Sequence, residues 1–146
     1  MLRKLKERFS EQSIAKSLHA SALSRLERLR PSDFQYDPLL KYEKNRVKAL
    51  MLAACGDRVK MVRLLLAAGA DPNKQVEYGA TPLMAAATWG CTETARILLE
   101  AGADPNFVDE EGLTAMDMAV QMCHKDIIQM LRQAGAPESP QPPVGF

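Results

Sequence analysis

A chain of 146 residues that is 47% hydrophobic and 25% charged is long enough for one domain and too apolar to stay unfolded. Its net charge of +1 hides an asymmetry: residues 1–70 hold 15 Lys and Arg against 7 Asp and Glu, and residues 71–146 hold 4 against 11. No segment approaches the roughly 18 apolar residues of a membrane span, and the N-terminus lacks the apolar core of a secretory signal. The expectation is a soluble intracellular protein.

The first element in chain order is residues 1–30, which contain neither Gly nor Pro and read as a basic amphipathic helical extension. Leu2, Leu5 and Phe9 share one face, as do Ile14 and Leu18 and then Leu23 and Leu26. The stripe drifts between Ser10 and Ser13, where a new helix start is plausible. Three readings stand: an N-terminal cap over the first repeating unit, a partner-binding helix, or a mitochondrial transit or membrane-surface segment. Glu7 and Glu11 oppose the last, because transit peptides are poor in acid. Nucleic-acid binding is disfavoured, since no aromatic residues interleave with the charges. Residues 31–45 read as a linker, with Pro31, Asp33, Asp37 and Pro38 breaking regular structure. Phe34, Tyr36, Leu39 and Leu40 are apolar enough to pack on the next element rather than float free.

From about residue 46 the chain repeats itself. Gly69-Ala70-Asp71-Pro72-Asn73 returns as Gly102-Ala103-Asp104-Pro105-Asn106 and fades to Gly135-Ala136-Pro137, a step of 33 residues. Gly79-Ala80-Thr81-Pro82-Leu83-Met84 is followed at the same step by Gly112-Leu113-Thr114-Ala115-Met116-Asp117. Thr81-Pro82 is a helix start, because the hydroxyl accepts an orphan N–H and the proline needs no donor there. Val62, Leu65 and Leu66, like Ala95, Leu98 and Leu99, form an apolar face at helical spacing, and Gly69 and Gly102 supply the positive φ that stops each second helix. Asp-Pro-Asn is turn chemistry.

These residues resemble the ankyrin repeat, whose pattern runs G-x-T-P-L-H-x-A-A, then G-H, then L-L-L-x-x-G-A-D-x-N. The resemblance implies an all-α solenoid of about three helix-turn-helix repeats, at about 46–78, 79–111 and 112–137. The predicted core is Leu50, Leu64, Leu65, Leu83, Ile97, Leu98, Met116, Ile127 and Leu131. The first repeat is degenerate: Asp57 stands where the pattern has Gly, and Gly56 comes one position early. The histidine of T-P-L-H, which in the family ties neighbouring repeats together, is replaced by Met51, Met84 and Asp117, of which only Asp117 can accept a similar bond. With Cys123 at the last turn glycine, softer packing and frayed ends are expected.

Residues 138–146 are Pro-rich and read as a disordered tail. Pro137 to Pro140 has P-x-x-P spacing, and Val144-Gly145-Phe146 has the apolar-x-apolar spacing of a carboxylate ligand. Cys55, Cys91 and Cys123 lack C-x-x-C pairing and read as packing residues, so no metal or cofactor is expected. Catalysis finds no phosphate loop, nucleophile elbow or zinc motif, and the reading is a non-catalytic interaction module or adaptor. The resemblance places a protein-binding site on the concave surface, where the family exposes its variable residues. In this chain that is Glu77, Tyr78, Thr88, Trp89, Glu110, Glu111, Leu113, Gln121 and Met122. Trp89, Tyr78, Leu113 and Met122 form an expected aromatic and sulfur patch with an acidic border, suited to a protein segment offering apolar anchors beside Lys or Arg.

Overall fold

The computed structural model describes residues 5–7, 9, 28, 30–34 and 38–137. Apart from residues 28 and 30, the helix expected over 10–30 lies outside the described residues, as does the tail 138–146. Six helices form the body: α1 (Glu43–Cys55), α2 (Val59–Ala67), α3 (Pro82–Trp89), α4 (Thr92–Glu100), α5 (Ala115–Gln121) and α6 (Lys125–Gln133). Among the described residues there are no strands. Each odd-numbered helix packs on the even-numbered helix that follows it and on the next odd-numbered helix, and the even-numbered helices stack on one another. The result is two helical layers, repeated three times.

Before the stack, Pro31–Phe34 is a single helical turn rather than the break expected from Pro31 and Asp33. Proline is tolerated at a first helical position because its missing N–H would be an orphan there, and Arg30 Nε bridges to Asp33 Oδ2 at 2.8 Å. A 3₁₀ turn, Pro38–Lys41, then rests on α1. Leu40 is buried, and Arg46 Nη1 donates to the carbonyls of Leu40 (2.7 Å) and Lys41 (3.2 Å). Residues 43–45, assigned from the sequence to the linker, are the first turn of α1.

The 33-residue period is written in the backbone. Ala70, Ala103 and Ala136 donate to Leu65, Leu98 and Leu131, five residues back, behind Gly69, Gly102 and Gly135 with φ of 92°, 96° and 83°. This is the glycine stop of each second helix. At the turn between the two helices, Arg58, Cys91 and His124 donate to Ala53, Ala86 and Ala119, again five residues back. The left-handed residue there is Asp57 (φ 52°), Gly90 (φ 72°) and Cys123 (φ 59°). The early Gly56 therefore does not alter the first repeat: Asp57 itself adopts the left-handed conformation, as short polar residues do at modest cost, and its carboxylate takes up the Thr94 hydroxyl (Oδ1 2.9 Å).

Gly90 has a second reason to be glycine. A Cβ there would meet the His124 ring at 2.6 Å, so the turn is both left-handed and crowded. His124 Nε2 lies 3.2 Å from the Thr88 carbonyl, which ties the second repeat to the third.

The expected core is buried, except that Leu64 is half-buried at its edge. Met51 in α1 and Met84 in α3 are fully buried in the core. Asp117 does not supply a tie between repeats: its Oδ2 accepts from the Thr114 N–H (2.9 Å) and hydroxyl (3.1 Å), while Thr114 Oγ1 accepts from the Asp117 N–H (3.2 Å). That is a capping box at the start of α5. Ties between repeats are made by residues outside the T-P-L-H motif, among them His124, Thr94 and the loop amides Asn73 and Gln75.

Candidate protein-binding surface

The loops between repeats are built by their own carboxylates. Asp71 Oδ1 accepts from the Asn73 N–H and Asp104 Oδ1 from the Asn106 N–H, each at 2.9 Å. These are Asx turns. Asn73 then reaches across the repeat boundary, donating Nδ2 to the Gly102 carbonyl (3.0 Å) and accepting from the Asp104 N–H (2.7 Å). Gln75 Nε2 donates to the carbonyls of Gly79 and Val108 at 2.9 and 2.8 Å. Each loop is closed by one backbone bond in the same register, Val76 N–H to Ala80 and Asp109 N–H to Leu113.

Asp109 is buried, and its Oδ1 accepts from both Glu111 and Leu113 N–H at 2.9 Å. It is the structural centre of the loop that carries Glu110 and Glu111. Sequence reasoning passed over it. The available signal was an Asp at the head of the Glu-Glu-Gly turn, the position from which a carboxylate reaches the N–H two residues on.

Tyr78 is 54% exposed and sits at φ 63°, a left-handed conformation uncommon for a bulky residue. Its carbonyl accepts from the Glu110 N–H (2.9 Å), and a Cβ on the next residue, Gly79, would lie 3.1 Å from the Asp109 backbone. The two loops thus meet backbone to backbone here, beside the side-chain bond from Gln75 to Val108. They carry exposed Glu77, Tyr78, Val108, Glu110 and Glu111 outward as one acidic, partly apolar edge.

The other expected site residues separate into two groups. Trp89, 37% exposed, is the last residue of α3, and half-buried Met122 follows α5 at the equivalent position. Tyr78 precedes the first turn of α3, so a helix of eight residues, about 12 Å long, stands between it and Trp89. The single aromatic patch expected from the sequence is therefore two sites at opposite ends of the first-helix layer.

Thr88, Leu113 and Gln121 were expected on the open surface and are buried. Thr88 Oγ1 donates to the Met84 carbonyl of its own helix (2.9 Å), which satisfies the buried hydroxyl. Leu113 is in the core cluster, where the loop-closing bond to Asp109 pulls it inward. Gln121 lies on the covered side of α5.

Trp89 has a partner from far away in the chain. Its indole Nε1 donates to the Phe9 carbonyl at 2.8 Å, and Lys6 Nζ lies 6.0 Å from the centre of its ring. Phe9 and Leu5, joined by a helical bond from the Phe9 N–H to the Leu5 carbonyl (3.1 Å), are both buried in the core cluster.

Among the described residues no group of His, Cys, Asp and Glu is arranged to hold a metal ion. Cys91 is buried, and desolvation first and the nearby Asp57 charge second push its thiol from an ordinary 9.0 up to about 11. Burial and this displacement both disfavour the thiolate that a nucleophile needs.

A family model described as ankyrin repeats in three copies matches residues 14–109 and again 50–139. The chain belongs to the ankyrin repeat family. The two matches together run over most of the 146 residues, and the second runs from within α1 to beyond α6. Ankyrin repeats are protein–protein interaction modules, and domains built from them are typically non-catalytic. A search of curated proteins returned no match.

Proposed function

We propose that this ankyrin protein is an adaptor that binds a segment of another protein, with apolar anchors beside Lys or Arg, along the acidic loop edge and the adjoining first-helix layer. The observation that carries this reading is Tyr78, a large aromatic side chain held outward in a left-handed conformation between Glu77 and the Glu110-Glu111 loop. Strained, exposed aromatics on a rigid frame are poor choices for stability and good ones for contact. The acidic neighbours select a cationic partner and speed its approach. Three thiols among the described residues, none of them in a disulfide, fit a reducing, intracellular setting. Burial of Leu5 and Phe9 against the repeats weighs against a cleaved transit segment.

Selection of random peptides on the full chain tests the reading. Recovered sequences should pair Leu, Phe or Trp with Lys or Arg, and Tyr78→Ala should weaken them by on the order of 2 kcal/mol. Glu110→Lys with Glu111→Lys should slow association and flatten its salt dependence. Peptides without basic residues, bound equally by Tyr78→Ala, would refute the assignment.

A further inference from the structure

The contact at Trp89 has the form of an occupied ligand site. Residues 5–7 are helical and the Phe9 N–H bonds back to the Leu5 carbonyl, with Leu5 and Phe9, four residues apart, both buried and Lys6 exposed beside the indole ring. That is the spacing at which an amphipathic helix presents anchors to a groove. The donor on the groove side is the indole N–H of the sole tryptophan, and the acceptor is a main-chain carbonyl at the end of the turn, which any helix could offer. Around this turn the sequence is Met-Leu-Arg-Lys-Leu-Lys-Glu-Arg-Phe, itself apolar anchors set among Lys and Arg. The turn thus sets apolar anchors and a lysine against Trp89, at the end of α3 away from the acidic loop edge.

We infer that the Trp89 end of the first-helix layer is a groove for a short basic helix of the type Leu-Lys-x-x-Phe, and that residues 5–9 are its resident intramolecular occupant, which a partner helix of the same chemistry displaces. The inference rests on the reading that this layer binds protein segments. It adds the chemistry of the partner and a regulation by competition. A tethered occupant competes at an effective concentration of about millimolar when its linker matches the span. The apparent affinity for an outside helix falls by the fraction of time the groove is open. A modification or contact that loosens residues 5–9 would therefore activate binding without altering the groove.

The test uses the full chain and a fluorescein-labelled peptide of residues 1–12. In the full-length variant carrying Leu5→Asp and Phe9→Asp, the emission of Trp89 should shift to the red, and the peptide should bind at least tenfold more tightly than it does to the intact chain. Adding Trp89→Ala to that variant should abolish binding. Equal affinity for the intact and released chains, with binding still dependent on Trp89, would overturn competition while leaving the surface assignment intact. Binding to the released chain that ignores Trp89 would overturn the groove itself. Saturable binding to neither chain, with the emission shift present, would make residues 5–9 a fixed part of the fold and end the proposal. Phe9→Ala alone, which removes the ring and keeps a helix former, serves if the double variant does not fold; a gain of about threefold in peptide affinity is then expected, and no gain refutes the competition.

Discussion

The middle of the stack and its C-terminal end are built from the same repeat by opposite means. In α3 every residue from Pro82 to Thr88 is buried, and only Trp89 at its end is open. In α6 only Ile127 and Leu131 are buried, and Lys125, Asp126, Gln129, Arg132 and Gln133 face outward. The difference is one of neighbours. A first helix in the central repeat is pressed between its own second helix and the first helices on either side, so it must be apolar all round and, with Ala85, Ala86 and Ala87 in succession, thin. A last helix has a neighbour on one side and keeps a polar face to water, which a terminal repeat needs in order to end the stack without inviting another.

The largest effect that sharpens this contrast is expected at Leu98, fully buried at the centre. Leu98→Ala should cost about 2–5 kcal/mol, whereas Ile128→Ala in α6, half-buried, should cost appreciably less. Thermal melts of the two variants side by side decide it, and equal losses would show that burial in this stack does not depend on position. Next comes Gly90→Ala. A left-handed alanine costs about 1–2 kcal/mol from the backbone alone, and the new Cβ must also move the His124 ring, so the loss should exceed that range. Denaturant titration measures it.

Loss of the end's own device should be smaller: Thr114→Ala removes the capping box of α5 and should cost about 1 kcal/mol. Cys123→Gly should act in the opposite direction. It places glycine at the one exposed left-handed position of the third turn and should raise stability by up to about 1 kcal/mol. A lower melting temperature for Cys123→Gly would mean that the thiol contributes more in place than its backbone strain costs.

The last effect is absent in ordinary buffer and develops only in alkali. The folded thiol of Cys91 loses its proton at about 11 and an unfolded one near 9.0, so above pH 9 the unfolded state is favoured by ionisation. Stability should be flat in this respect below pH 9, fall as pH rises through 9 to about 11, and level off beyond. Cys91→Ala should remove that part of the fall. At neutral pH a thiol reagent should modify exposed Cys123 well before Cys91, as mass mapping of the labelled peptides would show.

The fold was legible because a solenoid is specified locally. The glycine stops at 69, 102 and 135, the Thr81-Pro82 start and the Leu98-Leu99 face each act within a few residues of themselves, and a period of 33 repeats those instructions in register. The site was less legible. Periodicity tells which positions are equivalent and leaves open which way each side chain turns: Thr88 lies beside Trp89 in sequence, yet one is fully buried and the other is partly exposed. Tyr78 and Trp89 are eleven residues apart and looked like one patch, but the length of α3 holds them at its two ends.

What the sequence by itself determined is the repeat: its helices, stops, turns and the apolar faces that require stacking, all encoded within reach of a few covalent bonds. Only the tertiary structure decided how the turn absorbs a misplaced glycine through Asp57, how amides of Asn73 and Gln75 replace the missing motif histidines, and that Leu5 and Phe9 lie against a tryptophan 80 residues away from Phe9. Such contacts depend on where separate repeats bring their surfaces in space, a property of the packed stack that no local pattern carries.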